Sequence, residues 1–185
     1  MRAAIKGTLA FMFSSRRSLL IVILGVLPAG ILLARSSSSE PATHLETNFS
    51  LAGPRAVEEL TQHSVSRDYG LAWDNLAEAL SSNDPVLLSA YFAGPAKAAL
   101  EGAIESQKRT GIRTYYLTPT HKVVAVFYAP EGDVMELHDT AELELRLTAD
   151  GKVIHQEHVV LRYVVLMTPA ADRWMVRQLQ AVPHF

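Results

Sequence analysis

Residues 18–34, SLLIVILGVLPAGILLA, form an uncharged run bracketed by Arg16 and Arg17 before it and Arg35 after it, and this run constrains the chain more than any other feature. As a helix it reaches about 25 Å at 1.5 Å per residue. That is slightly short of a ~30 Å hydrocarbon core, and arginine stems close the gap by snorkelling. Gly25, Pro28 and Gly30 are tolerable in a spanning helix when neighbouring groups re-satisfy the backbone. The run reads as a single-pass transmembrane helix. Arg2, Lys6, Arg16 and Arg17 precede it while Arg35 alone follows closely, so the basic bias holds residues 1–17 in the cytoplasm. Residues 3–13, with Ile5, Leu9, Phe11 and Phe13, suit the cytoplasmic interface or an extension of the helix. Ala34-Arg35-Ser36 has signal-peptidase spacing, so a cleaved signal is the competing reading, and Arg16-Arg17 also matches a twin-arginine address. Each reading exports the residues beyond the run, and the expected location is a bacterial inner membrane with the C-terminal part periplasmic or extracellular.

Residues 35–54 hold four consecutive serines, Ser36 to Ser39, then Pro41, Gly53 and Pro54, which reads as a poorly ordered linker. Asn48-Phe49-Ser50 within it matches a glycosylation acceptor, a short pattern that needs a eukaryotic secretory route. Residues 55–185 are then enough for one domain with a real core. A net charge of -2 and a pI near 6.4 supply no basic field to track phosphates, which argues against nucleic-acid binding. The absence of cysteine excludes disulfides, thiolate zinc sites, iron–sulfur clusters and thiol nucleophiles.

Pro54 fits a first helical position, and Val65, Tyr69, Ala72, Trp73, Leu76 and Leu80 recur at helical spacing, with a break near Ser64 to Ser66 open. Asp84-Pro85 starts a short helix to Phe92. A third helix follows Pro95, with Lys108 and Arg109 in its last turn and Gly111 past its end. The period then changes to two. Thr114 to Thr118 and His121 to Ala129 read as strands divided by Pro119. From Met135 to Leu147, apolar and polar residues alternate, Asp150-Gly151 fits a type I′ hairpin, and the returning strand is apolar on both faces over Val159 to Met167. Trp174 to Val182 forms the last strand. Helices first, then strands joined by tight turns, predict an α+β domain with three helices packed on a curved antiparallel sheet.

That order, with FAGPAKAALEGAIESQKRTG, Tyr115-Tyr116, DTAELELRL and RYVVLMTPAADRWMV, resembles the nuclear-transport-factor-2-like cone fold. More narrowly it is similar to membrane-tethered extracytoplasmic versions, the intermembrane-space-type domains of plastid and cyanobacterial division proteins and the inner-membrane assembly component of type IV secretion systems. The resemblance spans Val57 to Val182 and implies a mostly non-catalytic assembly module. Other members are isomerase-like and dehydratase-like enzymes that use the cone interior.

One residue interrupts the apolar phase. Asp139 falls in step with Met135, Leu137, Ala141 and Leu143, which places its carboxyl inside the cone as the single weak catalytic candidate, unless a bulge at His138-Asp139-Thr140 returns it to solvent. A carboxyl in an apolar cavity can serve as a base, with Tyr69, Tyr115 or Tyr116 as donor, although tyrosines at these spacings also suit a core. His155 and His158 point to opposite faces of one strand and cannot share an ion without a bulge, and His121, His138 and His184 show no ligand spacing. No metal site, phosphate loop, nucleophile elbow or cofactor motif appears. The expectation is a non-catalytic protein that contacts other envelope membrane proteins, with a homodimer through the outer sheet face. The alternative is a small-molecule-binding or isomerase/dehydratase-like domain with a cavity around Asp139.

Overall fold

A computed structural model describes residues 42–185. The expected cytoplasmic segment 1–17, the expected transmembrane run 18–34 and the start of the expected linker lie outside these residues. Among the described residues no helix is long and apolar enough to cross a membrane.

The remainder of the expected linker is a correction. It forms strand β1, His44–Asn48, and the two-residue β2, Gly53–Pro54, both hydrogen-bonded parallel to the first long strand, β3, Ile112–Tyr128. Pro54 is therefore in the sheet, and the first helix, α1, starts at Glu59 and runs unbroken to Ser82. The Asp74 carboxyl on α1 draws the segment in. Its Oδ2 accepts from the Ala42 amide at 2.7 Å, and its Oδ1 accepts from the Thr43 amide at 3.0 Å and the Thr43 hydroxyl at 2.6 Å.

Ser64 and Ser66 do not break α1, because Val65 between them is buried and Ser66 Oγ donates to Thr47 Oγ1 on β1. Asn83 ends the helix in the left-handed region at φ 58°, a conformation a short polar side chain tolerates. Asp84 accepts from the Val86 amide and starts a 3-10 helix at Pro85–Ala90. The second α-helix, α2, spans Gly94–Thr110 and ends on Gly111 at φ 69°, as its glycine predicted.

Three further strands complete the sheet: β4, Met135–Ala149, β5, Lys152–Pro169, and β6, Trp174–Val182. The order is β1-β3-β4-β5-β6, with β2 also on β3. The long strands are antiparallel as expected, but β1 and β2 make the sheet mixed. Pro119 does not divide β3 into two strands. A register shift between Leu117 and Thr120 absorbs it, with Thr118 at φ 47°, because proline has no N–H for the ladder. Asp150 and Gly151 both take positive φ, 50° and 73°, which is the geometry of the predicted hairpin turn.

The core sits between α1 and the inner sheet face. Trp73, Leu76 and Tyr69 from α1, Leu88 and Phe92 from the 3-10 segment, and Ile104 from α2 meet Val123, Leu137, Val165 and Val176 of the sheet. Asp68 on α1 caps the edge strand by accepting the Trp174 amide at 2.7 Å.

Candidate functional site

Register decides where Asp139 points. β4 pairs without interruption from Met135 to Leu147 with β5 and from Leu137 to Glu142 with β3, so the bulge considered at His138 to Thr140 is absent and strict alternation holds. Asp139 lies between Val123 and Tyr163 in the ladders and is wholly buried, at 0% exposure. The irregularity that such a long strand needs is carried by β3 instead.

Two side chains meet its carboxyl. The Tyr69 hydroxyl, from the middle of α1, donates to Asp139 Oδ2 at 2.6 Å. His121, on the neighbouring strand β3, brings Nδ1 to 2.8 Å from the same oxygen. Both partners are 1% exposed. Among the described residues, Asp139 Oδ1 and His121 Nε2 have no hydrogen-bond partner. The Trp73 ring covers the group, with its centroid 4.4 Å from that of His121, 5.5 Å from Tyr163 and 6.1 Å from Tyr116. Burial raises the Tyr69 phenol well above its ordinary pKa, and the neighbouring Asp139 carboxyl adds to this. Tyr163 and Tyr116 are raised too, chiefly by burial. All three phenols therefore remain neutral donors across the physiological range.

Of the three candidate donors in the sequence, the fold brings only Tyr69 into hydrogen-bond contact with Asp139. Tyr116 is on the inner face near Trp73, whereas Tyr115 pairs with Arg146 on the outer face. His121 was missed as a member of the group. Its signal was present, because His121, Val123 and Ala125 share one phase, but a histidine heading a strand after proline reads as an edge residue. The other histidines stay apart. His155 Nε2 meets Glu157 at 3.2 Å and His158 Nε2 meets Glu142 at 3.1 Å, on opposite faces, while His138 stacks on Phe185.

An open space of a different kind lies at the start of the domain. A cleft of about 740 Å³ is lined by Thr47, Phe49, Ala52, Val57, His63 and Ser66, between the β1–β2 segment and the first turns of α1. Asp139 does not line it. The polar group inside the cone is thus a sealed cluster, with a neutral phenol, an imidazole and a carboxyl held in fixed geometry.

No family model matches the chain, and no curated protein does. Solved structures match the fold of the described residues. The intermembrane-space region of the chloroplast protein ARC6 superposes with a TM-score of 0.54 at 12% identity, over 70% of this chain and 98% of that one. Aln2 from a Streptomyces species gives 0.43 at 14% identity, over 68% and 91% of the two chains. A putative scytalone dehydratase from Novosphingobium aromaticivorans gives 0.42 at 11%, over 63% and 83%. At such identities the likeness is one of fold alone: the described domain has an α+β fold, helices on a curved mixed sheet, similar to the nuclear-transport-factor-2-like cone fold.

Proposed function

We propose that the chain is a non-catalytic, membrane-anchored protein whose extracytoplasmic cone domain contacts other proteins of a cell-envelope assembly. The observation that supports this best is the sealing of Asp139, wholly buried together with its two partners beneath Trp73. A substrate has to reach its base, and this carboxyl faces core on every side. The apolar run 18–34, with its basic N-terminal flank, supplies the anchor in this reading. The test is photo-crosslinking in intact cells, with the crosslinker placed along the outer sheet face, followed by gentle detergent extraction. Discrete adducts with other membrane proteins, dependent on the crosslinker position, are expected. Recovery of the chain free of any adduct from every position overturns the assembly reading.

A second reading is favoured by one specific observation. Asp139 Oδ2 is fully engaged by Tyr69 and His121 while Oδ1 and His121 Nε2 have no partner among the described residues, which leaves one acid/base atom on each side of the pair. In that reading Trp73 swings aside to admit a small molecule. Binding of small carbonyl compounds that quenches Trp73 fluorescence, and is abolished by Asp139→Asn without loss of fold, would select it over the first.

A further inference from the structure

β5 is eighteen residues long, but β6 covers only its second half, from Arg162 to Pro169. Among the described residues no strand pairs with the outer edge of Lys152 to Leu161. The opposite edge of the same stretch is held in register by β4, from His155 against Leu147 to Leu161 against Ala141. The edge is therefore rigid, and its backbone donors and acceptors are presented in a row. Every side chain from Lys152 to His158 is exposed. Val153 at 55%, Ile154 at 55% and Val160 at 49% are three of the eight large apolar residues the domain exposes, and all three fall within these ten residues. An open edge of this length, apolar toward both ends of a polar centre, is a template for another strand, and natural proteins normally blunt one. Here the blunting devices are few: Lys152 and a register shift at Ile154 lie at the tip of the arm, and Glu157 is the single carboxylate along the rest.

We infer that this edge pairs with the same edge of a second copy, antiparallel across a two-fold axis, so that two sheets become continuous. Symmetry and charge select the register. A two-fold axis normal to a sheet keeps each face, so it must pass through a residue rather than between two. To use the free length from Lys152 to Leu161, that residue is Gln156 or Glu157. An axis at Glu157 sets this carboxylate against its own copy, and like charges directly opposite are destabilising. An axis at Gln156 sets amide against amide and places His155 opposite Glu157 of the second copy, twice by symmetry. Counting past the extra residue at Ile154, Val153 and Lys152 then lie across from His158 and Val159 of the second copy, so the tip of each arm covers exposed groups of the other. An axis further along, at His158, would set Gln156 and Glu157 against valines and leave the tip uncovered. Self-complementarity is what commits the edge to a second copy of this chain rather than to another partner. This pairing is independent of the envelope-assembly reading.

Gln156 provides the test. In one chain its Oε1 accepts from Arg146 Nε at 3.0 Å and its amide donates to Glu144, so a lysine or a glutamate at this position each keeps a favourable neighbour and the fold. The full chain in mild detergent is measured by sedimentation over a range of concentrations, for the parent, Gln156→Lys, Gln156→Glu and an equimolar mixture of the two variants. The parent is expected to be a dimer. Each variant alone places like charges on the axis and weakens self-association by about tenfold or more, and the mixture recovers the dimer because lysine then faces glutamate. A parent that stays monomeric at tens of micromolar overturns the proposal. So does a dimer indifferent to both variants, which would place the contact on the outer sheet face instead, or a mixture that fails to recover.

Discussion

At the scale of single residues, the polar cluster in the cone is the feature with the largest consequences. Removing a partner from a buried polar group leaves the other unsatisfied, at about 1–3 kcal/mol for each orphaned group. Asp139→Ala orphans both the Tyr69 hydroxyl and His121 Nδ1, and a loss of about 2–5 kcal/mol is expected in urea unfolding, whereas Asp139→Asn, which keeps an acceptor and the volume, loses less. The pH dependence follows from Tyr69. Its pKa in the folded protein is raised above the ordinary 10.0, so the unfolded chain releases this proton first. The stabilisation is complete below about pH 10 and is lost as pH rises through the folded value. Stability is thus expected to fall steeply above pH 10, helped by Tyr116 and Tyr163. Tyr69→Phe should lower stability at neutral pH but flatten that alkaline slope, and denaturation curves between pH 8 and 11.5 measure both effects. A mutant with an unchanged slope would remove Tyr69 from this account.

Among the elements, the informative contacts are those that tie one segment to a distant one. β1 is held by its ladder with β3, by Leu45 against the core and by the Ser66 hydroxyl on Thr47, and the Asp74 carboxyl clamps its entry. Asp74→Ala is expected to cost about 1–3 kcal/mol and to speed amide exchange selectively over residues 44–48. Asn83 does two jobs at the end of α1. It takes a left-handed conformation, and its side chain donates to the Ile112 carbonyl at 2.9 Å while accepting from Gln107 at 2.5 Å. Asn83→Gly keeps the first and loses the second; Asn83→Ala loses both. Alanine should therefore be less stable than glycine here by about 1 kcal/mol, the reverse of their order inside a helix, and thermal melts of the two variants decide it. These ties were illegible in the sequence for one reason: they join residues 24 to 32 apart, and no local pattern marks a carboxyl or amide that will meet its partner across the fold.

For the whole molecule, the anchored reading predicts that the chain stays with membranes through an alkaline carbonate wash. It also predicts that the domain is cut by protease added to spheroplasts but protected in inverted vesicles, and an intact-mass measurement reports whether residues before Ser37 are retained. Protection in spheroplasts would place the domain in the cytosol and end the export reading. What the chain determines by itself is whatever depends on neighbours a few positions away. The helical stripe of Tyr69, Trp73, Leu76 and Leu80, the caps at Asp84 and Gly111 and the turn at Asp150-Gly151 are all of this kind, since the periods of helix and strand and the torsions of glycine and proline are local properties. Tertiary structure alone decided that the stretch after Thr43 joins the sheet, that β3 passes through Pro119 on a bulge, and that Tyr69 and His121 close over Asp139. Each of those depends on strand register and on side chains brought together from distant positions, and a residue's own sequence neighbourhood carries no record of which strand will lie beside it.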